Sequence, residues 1–293
     1  MKDIHCPICG LGVSYKLRYP ARINNNSVKF VARKTPECCH FQVVQCHGCG
    51  LVYSTPIFER DKIAELYKNS EFINEFQLEN MASDYLEEFL KVKEKINGEA
   101  VLEIGCANGF FIQRLKDIGI KNVYGIEPSV SAYEAAPSDI QDKIINKEFM
   151  EGIFQEESFD IILFFQVFDH IVEPNEFLQL VHRYLKKGGI LVAIHHDIKS
   201  LLPTILGERA STYDLSHIYL WDKNTMRLIL EKNDFEVLYI RNIANRYQVD
   251  HIIRMLPLPN IIRIIFRVSM ERLRLSDKNI RLFVENMVCV ARK

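Results

Sequence analysis

A short glycine-flanked loop between an apolar run and a helical pattern constrains this chain more than any other feature. The apolar run 101–104 carries the acidic residue Glu103, and the loop that follows begins at Gly105 and ends at Gly109. Only glycine lets a backbone turn sharply and approach a ligand closely. In open α/β sheets, nucleoside-type ligands bind at the loop after the first parallel strand. The segment therefore predicts a strand, a ligand-binding loop and a helix in succession.

Strand-like and helix-like segments alternate from residue 100 onward. The predicted strands cover residues 100–105, 122–127, 143–146, 159–166, 189–195, 235–243 and 285–292. The predicted helices cover residues 109–119, 129–136, 175–187 and 222–232. We expect Gly188-Gly189 to end the third helix and Asp222 to cap the fourth. Strands that alternate with helices predict an α/β fold with a parallel sheet and right-handed crossovers.

A second acidic residue, Glu127, ends the next predicted strand, 24 residues after Glu103. A carboxylate at this place commonly accepts the ribose hydroxyls of a bound nucleoside. Dinucleotide-binding loops follow the pattern Gly-x-Gly-x-x-Gly. Here the middle glycine, which lets the backbone meet a pyrophosphate, is missing. The loop therefore departs from the dinucleotide pattern.

Together these segments resemble those of class I S-adenosylmethionine (SAM)-dependent methyltransferases. The likeness includes segments 159–162 and 169–174 and the Leu-Lys-Lys-Gly-Gly step at 185–189, and it covers roughly residues 98–293. It implies a seven-stranded, doubly wound Rossmann-like sheet that binds SAM. The cofactor-binding residues that it implies are Glu103, Gly105, Cys106, Asn108, Gly109, Glu127, Pro128, Glu148, Phe149 and Gln166.

The resemblance also implies how these residues share the cofactor. The two loop glycines would admit the methionine end of SAM, and Glu127 would bind the ribose. Glu148 and Phe149 would flank the adenine, and Gln166 would lie near the methionine group.

Six of the eight cysteines precede residue 50, and four of them form two Cys-x-x-Cys-Gly turns. In a reducing compartment this clustering favours metal ligation over disulfides. Each turn presents two thiolates to one ion, so the pattern predicts a structural Zn²⁺ site of the ribbon type. Its ligands would be Cys6, Cys9, Cys46 and Cys49. The set Cys38-Cys39-His40 competes with them, and we interpret it as a strand edge or buried thiols.

The chain divides into three predicted parts: a zinc ribbon at 1–55, a helical linker or lid at 56–97, and a methyltransferase domain at 98–293 with a helical insertion at 248–276. A ribbon in front of this domain is similar to bacterial methyltransferases that act on nucleotide-linked sugars, including sugar C-methyltransferases and surface-polysaccharide or natural-product relatives. That resemblance implies a sugar nucleotide or glycan precursor as acceptor, and it leaves the acceptor atom open among carbon, oxygen and nitrogen.

The proton acceptor is sought in the loops after the fourth and fifth strands and before the helix at 222. In the zinc-ribbon relatives a histidine in a matching segment serves as base, which implies His217 with Tyr213 or Tyr219 as partner. His170 is the second candidate. The alternative for His217 is a structural role, capping the next helix or packing under Trp221. His195-His196-Asp197 is interpreted as a strand end that faces the substrate.

Residues 248–276 interleave apolar side chains with arginines, and Pro257 and Pro259 divide them into two predicted helical pieces. Such helices form a substrate lid, a dimer face or a membrane-surface contact. There is no apolar stretch of about 18 residues and no signal-peptide pattern, so we expect a cytoplasmic protein without a spanning helix.

The net charge of −1 gives no global basic field, so no nucleic-acid partner is expected. Two other functions stay open: an RNA methyltransferase whose ribbon grips RNA, and a non-catalytic module that keeps the cofactor fold.

Overall fold

The computed structural model describes residues 1–10, 14–23, 30, 39–72, 78–94, 96, 98–255 and 259–293. Cys38 and Pro257, which figure in the predictions above, lie outside the described residues.

The strands and helices follow one another along the whole chain. The described strands are β1 (Tyr15–Tyr19), β2 (Val43–Cys46), β3 (Val52–Ser54), β4 (Val101–Ile104), β5 (Val123–Ile126), β6 (Ile144–Ile145), β7 (Phe159–Phe165), β8 (Leu185–His196), β9 (Tyr219–Leu220), β10 (Glu236–Asn242), β11 (Asn245–Gln248), β12 (Asn279–Leu282) and β13 (Asn286–Arg292). The described α-helices are α1 (Arg60–Lys68), α2 (Leu78–Lys93), α3 (Phe110–Asp117), α4 (Val130–Glu134), α5 (Pro174–Tyr184), α6 (Leu201–Leu206), α7 (Lys223–Lys232), α8 (Val249–Met255) and α9 (Asn260–Arg272).

The main sheet has seven strands in the order β10-β13-β8-β7-β4-β5-β6. The predicted doubly wound α/β sheet is confirmed, and each predicted strand from residue 100 onward corresponds to one of its members. The prediction that the sheet is parallel is wrong for β13, which pairs antiparallel with β8 and with β10. The carboxyl ends of β4, β5, β7 and β8 still meet at one edge, where ligands of such sheets bind.

Helix boundaries agree with the sequence patterns at most places. Asp222 caps α7 as predicted, since its carboxylate accepts hydrogen bonds from the backbone N–H of Asn224 and Thr225. Gly188-Gly189 does not end α5, which stops at Tyr184. These glycines instead lie in β8, where the register opposite β7 shifts.

A second, four-stranded sheet has the order β1-β2-β3-β9. Its last strand, Tyr219–Leu220, comes much later in the chain than the other three strands. It pairs antiparallel with β3. Phe41 and Tyr53 of the N-terminal segment share one buried apolar cluster with Leu102 and Trp221. The predicted boundary at residue 55 therefore does not separate two cores.

The predicted helical segment 56–97 contains α1 and α2. α2 packs on α3, where Tyr85 and Phe89 contact the ring of Phe111 with centroids 5.9 and 6.3 Å apart. The late insertion forms α8 and α9 as two helices, and the short antiparallel pair β11–β12 joins it to the main body. Among the described helices, none is long and apolar enough to cross a membrane.

Candidate active site

A cavity of about 810 Å³ lies at the carboxyl edge of the main sheet. Its floor comes from the ends of β4, β5 and β7, and its walls come from α1, α2, the segment 214–217 and the β11–α8 segment. Ligand pockets span roughly 300–1,000 Å³. The volume is therefore sufficient for a nucleoside-type ligand with a second molecule beside it.

The loop after β4 has the backbone that its glycines predict. Gly105 has φ +73° and Ala107, not a glycine, has φ +51°. A Cβ atom at Gly105 would lie 2.4 Å from Cγ2 of Val167, so any other residue would have to displace Val167 and adopt a strained φ. Gly109 also has φ +73°, but a Cβ there would meet Ile140 at 2.6 Å, which shows that this glycine serves packing.

Two buried carboxylates stand behind this loop. Glu127 accepts hydrogen bonds from the N–H of Ala107 (2.9 Å) and Ser129 (2.8 Å), one on each oxygen. Burial raises the pKa of Glu127 above its usual value, and these two hydrogen bonds partly offset the effect. Burial, together with the charge of Glu127, raises the pKa of Glu103 to about 8. Oε2 of Glu103 has no hydrogen-bond partner, so this carboxyl becomes an acceptor for a cationic ligand once it loses its proton.

Gln166 follows β7 with φ +57°, an unusual conformation for a residue other than glycine. Its backbone N–H donates to the Ile194 carbonyl at 2.6 Å, and its amide nitrogen donates to Asn286 at 3.2 Å. The side-chain oxygen Oε1 is buried without a partner. Strained residues of this kind concentrate at ligand sites.

The other predicted cofactor residues separate into two groups. Pro128, Glu148 and Phe149 line the cavity, as Glu103, Gly105, Glu127 and Gln166 do. Cys106 and Asn108 are buried beneath the loop and, like Gly109, are absent from the lining. Since Cys106 Sγ would stand 2.5 Å from a Cβ at Gly125, it supports the loop from below.

Three histidines surround one buried carboxylate on the other side of the cavity. Nε2 of His217 lies 3.6 Å from Oδ2 of Asp169, and Nε2 of His170 lies 3.7 Å from Oδ1. The ring of His196 lies 5.3 Å from that of His217. Neither oxygen of Asp169 has a hydrogen-bond donor.

Backbone carbonyls fix the tautomers of two of these rings. Nδ1 of His170 lies 2.8 Å from the Ser216 carbonyl, and Nδ1 of His217 lies 2.9 Å from the Thr212 carbonyl. A carbonyl only accepts, so Nδ1 carries the hydrogen in both rings, and Nε2 is the nitrogen nearer to Asp169. His170 and His217 were both predicted as candidate bases from the sequence, but the sequence did not indicate that both lie beside the same carboxylate, that of Asp169.

The charges of this cluster follow from burial and proximity. Burial alone would raise the pKa of Asp169, but His170, His217 and His196 outweigh burial and hold that pKa well below its usual range. Asp169 is therefore ionised near neutral pH. Burial lowers the pKa of His170, and Asp169 offsets part of that shift, so His170 is neutral near pH 7.

The tyrosines predicted as partners of His217 lie elsewhere. Tyr213 packs edge-on against Tyr19 at 5.2 Å, and the Tyr219 hydroxyl donates to the Val172 carbonyl at 3.2 Å. Neither lines the cavity. Tyr67 of α1 takes this place instead: its hydroxyl donates to the Ser216 carbonyl, and its ring lies 5.6 Å from that of His170. No sequence signal marked Tyr67.

His195-His196-Asp197 was predicted as a strand end that faces the substrate. Only His196 lines the cavity. His195 is fully buried with Nδ1 3.0 Å from the His196 carbonyl, and Asp197 accepts from Asn242 and the N–H of Lys199. Side-chain atoms of Asp169, His196 and His217 lie within 4.8 Å of one another, a spacing that a cation would also accept.

The four cysteines of the two N-terminal turns converge. Their sulfur atoms lie within 4.8 Å of one another, and those of Cys6 and Cys49 are 3.5 Å apart. Four thiolates at about 2.3 Å from one tetrahedral Zn²⁺ would be about 3.7 Å apart. Gly10 and Gly50 close the two turns with φ +70° and +79°. The donor set and its spacing fit a tetrahedral metal site, and Cys39 stands outside it.

Comparisons with known proteins agree with this geometry. A structure of a SAM-dependent methyltransferase from Archaeoglobus fulgidus is similar over 74% of this chain and 94% of its own, with a TM-score of 0.52 and 16% identity. Ubiquinone biosynthesis O-methyltransferase of Bradyrhizobium diazoefficiens is 30% identical over 118 residues, 38% of this chain and 46% of the relative. The protein of the same name in Nitrobacter winogradskyi is 27% identical over 175 residues, 55% of this chain and 64% of the relative.

The chain thus spans about half to just under two thirds of the length of these curated relatives. The family model described as "Methyltransferase domain" matches residues 74–240, more than half of the 293 residues. The match includes the loop after β4, both buried carboxylates and the Asp169 cluster. The chain therefore belongs to the methyltransferase domain family, and its fold is that of the class I SAM-dependent methyltransferases.

Proposed function

We propose that the protein transfers the methyl group of SAM to a hydroxyl oxygen of a small acceptor. The observation that carries this proposal is the set of buried oxygen acceptors without donors on the two sides of one cavity. Glu103 and Gln166 line the loop side, and Asp169 is buried on the opposite side behind His170 and His217, which line the cavity. SAM carries an ammonium and a sulfonium group, so unpaired acceptors at a buried site fit it.

The histidine cluster supplies the proton acceptor. Because the sulfonium is already a strong electrophile, the protein must hold the acceptor in line with the methyl group and remove its proton. Nε2 of His217 takes the proton from the acceptor hydroxyl, and the ionised Asp169 at 3.6 Å stabilises the resulting imidazolium. The Thr212 carbonyl keeps the ring turned so that Nε2 is the atom available.

We propose that the acceptor is a small molecule with a hydroxyl group. The nucleotide-linked sugar or glycan precursor predicted from the sequence carries hydroxyl groups. The relatives named ubiquinone biosynthesis O-methyltransferase point to an oxygen acceptor as well. A hydroxyl acceptor agrees with both, whereas carbon transfer agrees with the sugar C-methyltransferase resemblance alone.

The cysteine cluster completes the proposal with a structural Zn²⁺. Cys6, Cys9, Cys46 and Cys49 would fill all four coordination positions, so the ion takes no part in methyl transfer. It would hold the N-terminal sheet in shape, including β3, which pairs with the strand that follows His217.

Heat stabilisation tests the cofactor part. SAM is expected to raise the melting temperature of the native protein. It should not raise the melting temperature of the Gly105→Arg variant, because any side chain at Gly105 meets Val167. Gly119→Arg is the matched control, since Gly119 also has positive φ but faces open space. The control should respond to SAM like the native protein. A native protein that SAM does not stabilise would refute the proposal.

Proton release on SAM binding is a second test of the same site. The positive charge of SAM should lower the pKa of Glu103 from about 8, so binding near neutral pH releases protons and SAM affinity rises with pH. Calorimetry in buffers of different ionisation enthalpy measures this release. S-Adenosylhomocysteine, which lacks the sulfonium charge, should release fewer protons, and Glu103→Gln should abolish the pH dependence.

Transfer itself is tested with methyl-labelled SAM and two acceptor panels, nucleotide sugars and phenolic or quinol rings, with mass analysis of the product. Label on oxygen in either panel supports the proposal and decides between the acceptor classes. Label on carbon would overturn the oxygen assignment, and label only in RNA would favour the RNA methyltransferase alternative.

A further inference from the structure

The helix α9 is amphipathic, but its apolar side faces solvent and its basic side faces the protein, which is the reverse of a typical surface helix of a globular protein. None of its thirteen residues is buried. Its half-buried side chains, which repeat at helical spacing, are Arg263, Arg267 and Met270. Its apolar side chains face solvent and are 40–74% exposed: Ile261, Ile262, Ile264, Ile265, Phe266 and Val268.

The charged groups of α9 are held on its inner side. Nε of Arg267 donates to Asp250 of α8 at 2.6 Å, and Asp250 also pairs with Arg254 at 2.6 Å. Arg263 donates to the Arg254 carbonyl and to Asn260. These contacts fix the rotation of α9 about its axis, so the apolar face points outward by construction.

The apolar surface continues past the end of the helix and is edged by basic residues. Leu273, Leu275, Ile280 and Phe283 are 39–66% exposed. Arg272, Arg274 and Lys278 are exposed among them. Glu271 and Asp277 are exposed there as well. Residues 249–280 contain six Lys or Arg and three Asp or Glu, a net charge of +3 in a chain whose total is −1. Arg246 and Arg281 are left out of this count because they pair with Asp84 and Glu87 of α2.

We propose that this outer face of α9 and the adjoining segment to Phe283 bind an anionic lipid surface. An apolar helix face with basic edges and no spanning length is the form of helix that lies in the membrane interface. The local excess of positive charge is complementary to anionic headgroups.

The same charge argues against a second copy of the chain as occupant. A two-fold dimer would bring this surface against itself, so a segment with net charge +3 would face an identical segment. The insertion 248–276 was also predicted as a lid, and it reaches the cavity through His251 of α8, but no residue of α9 lines the cavity.

The location of the surface gives the contact a consequence. Arg246 and Tyr247 of β11 and His251 of α8 line the cavity, and α8 packs against α9. A lipid surface under α9 therefore lies next to the cavity wall, where an acceptor with a lipid tail would present its head. This consequence depends on the proposed methyl transfer, but lipid binding does not.

The test is flotation of the purified full chain with vesicles, without SAM or acceptor. We expect the chain to float with vesicles of phosphatidylcholine mixed with phosphatidylglycerol and to stay behind with pure phosphatidylcholine. The variant Ile261→Asp/Ile265→Asp should lose binding. Leu17→Asp/Leu228→Asp adds the same two charges at side chains that are 57% and 40% exposed elsewhere, and it should float like the native chain.

A charge variant separates apolar insertion from electrostatic attraction. Arg272→Gln/Lys278→Gln should weaken partition to anionic vesicles about 25-fold at low salt, at roughly five-fold per basic residue. Circular dichroism confirms that each variant is folded.

Failure of the native chain to float would overturn the proposal. So would a dimer in sedimentation that Ile261→Asp/Ile265→Asp dissociates, because the face would then be a protein interface. Because flotation uses neither SAM nor acceptor, loss of methyl transfer leaves this result unaffected, and failure to float leaves the methyl-transfer assay unaffected.

Discussion

The N-terminal cysteine module (residues 1–55) and the C-terminal hairpin (β11, α8, α9 and β12) are additions to the same seven-stranded sheet, and they are attached in opposite ways. The module shares a strand pairing and an apolar core with the main body. The hairpin is held at its base by polar contacts, in which Arg246 pairs with Asp84 and Glu87, and Asn80 and Asn279 exchange amide hydrogen bonds at 2.9 and 3.0 Å. Its far end exposes apolar side chains.

The difference shows what each addition does for the cavity. The N–H of Ser54 in β3 donates to the Ile218 carbonyl at 2.8 Å, and the N–H of Ile218 donates to the Asp169 carbonyl at 2.8 Å. The module thus holds the segment that carries His217 against the segment that carries Asp169. The hairpin contributes wall residues to the cavity, and Tyr247 at its base is linked to His196 through Glu285. We therefore expect damage to the module to reach the chemistry and damage to the far end of the hairpin not to.

Loss of one cysteine ligand should have the largest effect. Cys46→Ser removes a thiolate from the four-sulfur cluster, and structural zinc contributes roughly 10–16 kcal/mol to the folding of small modules. We expect loss of bound zinc, a large drop in melting temperature and methyl transfer at background, because β3 no longer holds β9. Zinc analysis, thermal unfolding and the transfer assay measure the three effects.

Cys39→Ser is the matched control, since Cys39 is in the same module and outside the cluster. It should keep zinc and activity. If Cys46→Ser retains full activity after losing zinc, the module does not position the histidine cluster and the comparison fails.

His217→Asn should have the next largest effect. It removes the proposed base but changes neither the contacts that attach the module nor those that attach the hairpin. Loss of a general base lowers a rate by about 10²–10⁴-fold, so we expect kcat to fall by that amount while SAM still stabilises the protein. His182→Asn, a histidine that packs against Phe235 away from the cavity, should leave the rate unchanged. Assays with and without added Mg²⁺ complete the test, because a rate that requires the cation would favour a bound cation, for which Asp169, His196 and His217 have suitable spacing, over a histidine base.

The sequence predicted local features of this architecture well and relations between distant segments poorly. The loop at Gly105, the strands and the Asp222 cap depend on a few adjacent residues, so their patterns suffice. The pairing of Tyr219 with β3 joins residues far apart in the chain, and no local pattern encodes it. For this reason Tyr219 was predicted at the cavity, while Tyr67 was missed.

The hairpin shows the same limit on a smaller scale. Interleaved apolar residues and arginines predicted two helices, and both are present. Which side of α9 packs inward depends on Asp250 of α8, because Arg267 of α9 donates a hydrogen bond to it. Periodicity alone favours burial of the apolar face, and here the structure has the reverse.

Arg246→Met tests the polar attachment of the hairpin. The carboxyl of Asp84 is buried, and removing one partner of a buried ion pair costs about 3–5 kcal/mol; we expect the low end, because Asn245 also donates to Asp84. Burial raises the pKa of Asp84, and Arg246 offsets part of that rise. Without Arg246 the pKa rises further. Urea unfolding measures the free-energy loss.

The pH dependence has a definite sign. A carboxyl whose pKa is raised in the folded state favours folding below its unfolded pKa of about 3.9 and loses that contribution as pH rises. The deficit of Arg246→Met should therefore be larger at pH 7 than at pH 4. Arg183→Met, which breaks an exposed pair with Glu151, should show little loss at either pH. An equal deficit for the two variants would mean that the hairpin is not held by this ion pair.

Phe266→Ala should have the smallest effect. Phe266 lies on the outer face of α9 and is 49% exposed, whereas Phe41 of the module is fully buried. Surface substitutions usually change stability by less than about 0.5 kcal/mol, and truncation of a buried phenylalanine costs about 3–5 kcal/mol. We therefore expect urea unfolding of the isolated chain to leave Phe266→Ala unchanged and to destabilise Phe41→Ala strongly. A loss above about 1 kcal/mol at Phe266 that grows with protein concentration would show that the face is covered by another copy, because only association makes stability concentration-dependent. A loss independent of concentration would place α9 against its own chain, and the two additions would then be attached alike.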